Sequence, residues 1–337
     1  MNRASLLFHQ ALALAFVLVT GSSASAQGIV RFDEIAADLY RVGNATHNTV
    51  FLVTDEGIIL ADPINRDFST ELKAELESRF DVPVRYVLYS HHHWDHASGG
   101  QVWEETAQFI GHENILGRLA MPPAGTALPG DAAELDANGN GSLERTESSG
   151  AYQRLFDLYD SDGNGVLSGA ELARGPLNDV RSPDITYHDK LTVTLGGKRA
   201  EMVFTGVHTH TDDMSVIVFP EESVGYMVDF ISGLRPPRYI RGEQPIETWL
   251  AGIRVVEAQD FEIAAPGHGA LTDKAHVTLF REYLEELRDR VTAGIAAGQS
   301  VEELQESIYM DAYKDWISYE EFRASNIADM YNLLTRE

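Results

Sequence analysis

The chain has 337 residues, 44% of them hydrophobic and 23% charged, a composition typical of a globular protein rather than a disordered or fibrous one. Its formal charge of -26, with no basic run, argues against a nucleic-acid or anionic-membrane partner, because such surfaces would repel it at long range. With no cysteine, the chain has no disulfides and must draw stability from its core and from bound metals.

Residues 1–26 carry Arg3, an apolar stretch from about Leu6 to Val19, and small residues ending in Ala24-Ser25-Ala26. That is the layout of a secretory signal peptide, and the apolar stretch is short for a membrane span. The expectation is a periplasmic or secreted protein with no membrane insertion once the signal is removed.

From Gly28 to Leu60 apolar segments alternate with turns, and Leu39–Val42, Thr49–Val53 and Ile58–Asp62 read as short strands. Residues 68–80 place Leu72 and Leu76 four apart among charges, which predicts a helix capped by Ser69 or Thr70. A strand from Val84 to Tyr89 follows and leads directly into His91-His-His-Trp-Asp-His96. Strand ends are where open α/β sheets place their binding crevices. A strand and short helix are predicted around residues 107–120, and glycine, asparagine and acidic residues then dominate from about Pro122 to Asn178. Strand patterns resume at Leu191–Leu195, Ala200–Val207, Met214–Phe219 and Ser223–Asp229. The tail from Ala275 to Leu334 reads as helical, with Leu279, Tyr283, Leu287 and Val291 forming one stripe.

A transition metal needs nitrogen, sulfur or oxygen donors, and without Cys the candidates here are His and carboxylates. His91 and His93 alternate on extended backbone, Asp95 and His96 can turn towards a second ion, and later strand ends offer His210, Asp229 and His268. His208 competes with His210. His92 and Trp94 fall on the alternate positions and are expected to pack, as is His112.

The order H-x-H-x-D-H, His-Thr before a strand ending in Phe-Pro, Asp after an apolar strand, and Pro-Gly-His-Gly resembles the metallo-β-lactamase-fold hydrolases. The resemblance implies an α/β fold, a four-layer αββα sandwich with a binuclear, usually zinc, site. It assigns His91, His93 and His210 to one metal, Asp95, His96 and His268 to the other, and Asp229 to both. It also implies a small-molecule substrate and a metal-bridging hydroxide, oriented by Asp95 as the catalytic carboxylate, attacking a carbonyl or related ester or amide centre. Lactones, thioesters and β-lactams are the expected substrates, with sulfate esters or phosphodiesters as the alternative. A bridging Asp together with a lack of Cys speaks against β-lactamase activity itself. Arg235, Arg238 and Arg241 follow Asp229 and could hold a substrate carboxylate.

Within the glycine- and acid-rich stretch, residues 136–147 and 160–171 each match a twelve-residue EF-hand loop, with glycine at position six. Calcium ligands would be Asp136, Asn138, Asn140, Ser142 and Glu147 in the first, and Asp160, Asp162, Asn164, Val166 (through its carbonyl) and Glu171 in the second. Only Ser148–Tyr159 lies between, enough for one shared helix, which favours a structural role for calcium over that of an opening sensor. The expected division is therefore a signal peptide (1–26), a first part of the fold (27–122), a small helical EF-hand insertion (123–177) and a second part with C-terminal helices (178–337). The rival from another class is a calcium-responsive binding protein on a catalytically silent hydrolase scaffold.

Overall fold

The computed structural model describes residues 28–207, 210–240 and 244–336. The signal-peptide stretch, His208 and Arg241 lie outside the described residues.

The chain lays down strands β1 (Arg31–Ala36), β2 (Leu39–Gly43), β3 (Asn48–Thr54), β4 (Gly57–Ala61), β5 (Val84–Leu88) and β6 (Gln108–His112), then β7 (Ser142–Glu144) and β8 (Val166–Ser168) in the acidic stretch. It continues through β9 (Ile185–Tyr187), β10 (Lys190–Leu195), β11 (Lys198–Phe204), β12 (Ser215–Phe219), β13 (Val224–Met227), β14 (Ile263–Pro266) and β15 (Thr272–Asp273). A seven-stranded sheet runs in the order β1-β2-β3-β4-β5-β6-β9 and a six-stranded sheet runs β10 to β15 in sequence order. The first sheet turns from antiparallel to parallel at β4, and the second has one parallel pair, β13 with β14.

Side-chain alternation explains the layering. In β4, Ile59 and Ala61 pack between the sheets, while Ile58 and Leu60 meet helix Arg66–Arg79 through Phe68, Leu72 and Leu76. In β12, Ile217 and Phe219 face the first sheet, while Val216 and Val218 meet helices Ile246–Glu257, Lys274–Ala296 and Tyr319–Leu334. The result is helix, sheet, sheet, helix. Strand β14 and helix Ile246–Glu257 were not foreseen from the sequence.

Helix Arg66–Arg79 begins before its expected cap: Asn65 Oδ1 accepts from the Phe68 amide at 3.0 Å, and the Ser69 hydroxyl donates instead to the Pro63 carbonyl. Asn65 holds the cap because its backbone is extended while Ser69 already lies inside the first turns.

The acidic stretch carries its own small core of Ala132, Leu143, Phe156, Leu167 and Leu172, separate from the sandwich. Its two short strands pair antiparallel with Leu143 opposite Leu167. The single helix expected between the loops is two short pieces, Gly150–Arg154 and Phe156–Tyr159, broken where Leu155 leaves helical geometry at φ -107° and ψ 16°.

Candidate metal centre

Two groups of donors meet where the strands of both sheets end. One comprises His91, His93, His210 and Asp229; the other comprises His47, Asp95, His96 and His268, and within each group one potential donor atom per residue lies within 4.8 Å of the rest. The His91–His96 segment leaves β5 and turns into the short helix Trp94–Ala97, which aims His91 and His93 one way and Asp95 and His96 another. Asp229 sits just past β13 with φ +59°, a left-handed conformation that costs a non-glycine residue on the order of 1 kcal/mol and that rigid surroundings must hold.

That strained turn places the Asp229 carboxylate between the groups. Its Oδ2 lies 3.4 Å from His91 Nε2, 3.4 Å from His210 Nε2 and 3.8 Å from His93 Nδ1. Its Oδ1 lies 3.1 Å from His96 Nε2 and 2.9 Å from His268 Nε2. Each oxygen therefore faces its own set of imidazoles.

The imidazoles are held from behind. Ser90 Oγ lies 2.9 Å from His91 Nδ1 and donates to the buried Asp62 carboxylate at 2.6 Å, while the Thr46 carbonyl lies 2.7 Å from His268 Nδ1. Such partners fix which nitrogen faces inward. His92 turns away to Asp213 at 2.9 Å, and His112 stacks on Phe204 and reaches the His188 carbonyl, both structural roles. Trp94 is half-buried; it packs on the core as expected but also lines a cleft.

Burial pulls His91 far below the usual imidazole range and lowers His210 as well, so both are neutral with a lone pair to offer. Burial also opposes charge on His96, but the Asp229 carboxylate outweighs it and raises His96 to about 9. Burial opposes charge on Asp229 too, yet the facing imidazoles, His96 first, keep its carboxyl well below the usual range.

This donor set fits a pair of divalent transition ions. His96 Nε2 and His268 Nε2 converge to 3.3 Å, and the buried His91 Nε2 has no hydrogen-bond partner although it points at the cluster centre. Nitrogens so placed need a cation or proton between them, and imidazole plus carboxylate suits zinc.

Sequence reasoning missed His47. It stands in the loop between β2 and β3, where Asn44 Oδ1 accepts from the amides of Thr46 and His47 at 2.9 and 2.8 Å. Its Nε2 lies 3.1 Å from Asp95 Oδ2, and its ring packs edge-on against His268. An isolated Thr-His-Asn in a loop carries no spacing signal. Of the three arginines expected to meet substrate, Arg235 is half-buried with its guanidinium 5.6 Å from the Phe322 ring, and Arg238 is exposed beside Tyr239. Neither lines the cleft next to Asp95.

In the acidic stretch, Asp136 accepts from the Gly139 and Gly141 amides, and Asp160 from those of Asn164 and Gly165. Gly141 and Gly165 have φ of +79° and +81°, which a side chain would strain. Asp160, Asp162 and Glu171 converge on one point, and Glu171 accepts from the Ser161 and Ser168 amides.

Comparison with known proteins agrees with this geometry. Residues 42–288 match the metallo-beta-lactamase superfamily, and the chain belongs to that superfamily. It is 23% identical over 269 residues to the linear primary-alkylsulfatase of Pseudomonas sp. (strain ATCC 19151), covering 75% of this chain and 48% of that protein. Over 76 residues, 18% of this chain, it is 36% identical to a probable calcium-binding protein of Oryza sativa subsp. japonica, of which 44% is covered. The chain thus spans about half the length of the curated relatives it matches. Among solved structures it resembles a metallo-beta-lactamase from Pontibacter korlensis (TM-score 0.52, 16% identity, 76% of this chain and 98% of that one). It also resembles the stereoselective inverting sec-alkylsulfatase of Pseudomonas sp. (TM-score 0.61, 16% identity, 89% and 49%).

Proposed function

We propose that the protein is a binuclear metal-dependent hydrolase, with zinc the best-suited metal. The observation that carries this reading is the Asp229 carboxylate, whose two oxygens each face a separate set of imidazoles. His91, His93 and His210 would hold one ion, and Asp95, His96, His268 and the newly found His47 surround the other position, with Asp229 reaching both. Ions bound there would lower the pKa of water and polarise a carbonyl or ester oxygen. Ser90 and Asp62 orient His91, Thr46 orients His268, and Asp95, hydrogen-bonded to His47, stands where it can accept a proton from an attacking water. All seven residues of the motif are in place, which favours an enzyme over a silent scaffold.

The first substrate class is a carboxylic ester, lactone or thioester. Sulfate esters form a second reading, favoured by the similarity to the alkylsulfatase of Pseudomonas sp.. Metal analysis of the mature protein, coupled to a panel of lactones, thioesters, sulfate esters, phosphodiesters and β-lactams, tests both. Turnover lost on chelation and restored by zinc is expected; less than one equivalent of zinc under replete conditions would overturn the assignment.

The loops 136–147 and 160–171 are read as calcium sites of an EF-hand insertion with a structural role, supported by their glycine geometry and by the likeness to a probable calcium-binding protein. The opening residues are read as a secretory signal, which gives a periplasmic or secreted enzyme.

A further inference from the structure

Beside the second histidine group lies a cleft of about 480 Å³, within the range of small-molecule sites. Its lining includes His47 and Asp95, so the cleft opens onto the second donor group. Its walls come from two unlike parts of the chain: Trp94 and Ala45 from the sandwich, Leu155 and Leu158 from the acidic insertion.

The insertion wall is not loosely placed. The Asn178 amide donates to the Leu158 carbonyl at 3.0 Å, and Asn178 Nδ2 reaches the Asp160 carbonyl at 3.3 Å. The next residue, Asp179, accepts through its carbonyl from the Gly99 amide, three residues after His96, and its carboxylate pairs with Arg66. The break in the helix at Leu155 matters here, because both leucines line the cleft although the rest of their segment serves the insertion's own core through Phe156. Leu155, Leu158 and Trp94 are each only partly buried, and covering them is favourable by about 25 cal/mol for each Å² of apolar surface removed from water.

We propose that this cleft binds the apolar arm of the substrate, an alkyl or aryl group attached to the scissile head, with the insertion supplying the wall that selects for it. The proposal rests on the hydrolase reading, which supplies the anchor for the head group. Of the two cations lining the cleft, Arg66 is paired with Asp179 and Arg154 is exposed on the acidic stretch, so the apolar contact for the arm comes from Trp94, Leu155 and Leu158.

The test compares methylphosphonate with octylphosphonate binding to the mature, zinc-loaded protein by calorimetry. The octyl compound is expected to bind at least about tenfold more tightly, since each buried methylene is worth about 0.8 kcal/mol and only part of the chain need be covered. In Leu158→Asp the ratio should fall towards one. Leu155→Gln provides the same test with a milder change should the first variant fold poorly. Methylphosphonate binding with a ratio near one in the wild type, or a ratio retained in both variants, overturns the cleft while leaving the metal centre standing. If neither phosphonate binds, the cleft proposal falls, and zinc content measured on the same sample decides whether the hydrolase reading falls with it.

Discussion

The molecule carries two clusters of metal-type donors that are built in opposite ways. The histidine and aspartate centre draws on β-strand ends more than a hundred residues apart, from His47 to His268; it buries His91 and His96, and leaves His91 Nε2 without a hydrogen-bond partner. The acidic loops draw each set of ligands from twelve consecutive residues, and their carboxylates already accept hydrogen bonds from their own backbone amides. A long-range site whose donors satisfy each other poorly is costly without its ions and so specifies both the fold and its cofactor. A local site that is largely satisfied can sit within a loop without disturbing the scaffold, and an ion bound there would be held more weakly.

The sharpest way to break this contrast is to remove the carboxylate common to both histidine groups. Asp229→Asn retains the shape but removes the negative charge and turns one of the two facing oxygens into an NH2 group, and hydrolytic activity should fall by about three orders of magnitude, or about 4 kcal/mol of transition-state stabilisation. Zinc content should drop below two equivalents. Full activity with two bound ions would refute the bridging role.

Proton and metal compete for the second position. Without an ion, Asp229 raises His96 to about 9 against its burial, a folded pKa above the usual imidazole value of about 6.5. A raised base stabilises the fold fully below its unfolded pKa, and the contribution disappears as the pH climbs through the folded one. The melting temperature of the zinc-free protein should therefore decline between about pH 6.5 and 9. The zinc-loaded protein, whose His96 offers a lone pair instead of a proton, should not show this decline. Zinc affinity should rise over the same interval, and a flat affinity profile would count against His96 as a ligand.

A smaller effect is expected at the buried Asp213, which pairs with His92. Burial opposes its charge, but His92 and the Thr211 hydroxyl, which donates to Asp213 Oδ1, hold its carboxyl below the usual range. A depressed acid stabilises the fold above its unfolded pKa and ceases to do so as pH falls through the folded value. Asp213→Asn should therefore cost about 1–3 kcal/mol at neutral pH, by denaturant melts, with the penalty narrowing below about pH 4.

The sequence made most of the sandwich and seven of the eight converging metal-type residues legible, because alternation and the His91–His96 spacing are local signals that mark strand ends. His47 was invisible for the opposite reason: its place is set by the Asn44 turn and by strand register, not by any spacing in the chain. The cleft was equally hidden, since Leu155 and Leu158 read as ordinary helix residues until the kink at Leu155 placed them opposite Trp94. Helix Ile246–Glu257 went unmarked; it starts after Pro245 without a side-chain cap.

The acidic loops should give the smallest response, and they should respond unequally. Loop 160–171 gathers three carboxylates, Asp160, Asp162 and Glu171, at one point, whereas loop 136–147 has asparagine at its third and fifth positions and its third carboxylate, Glu144, accepts from the Asn138 and Asn140 side-chain amides. Ligand charge sets calcium affinity in loops of this geometry, so the second loop should fill first in a calorimetric titration. Glu171→Gln should abolish that tighter phase and lower the melting temperature by only a few degrees, because the insertion's five-residue core is separate from the sandwich. Zinc content should be unchanged. If instead the variant lost zinc or melted like Asp229→Asn, the two centres would form one cooperative unit, and the contrast between a fold-defining site and an inserted one would fail.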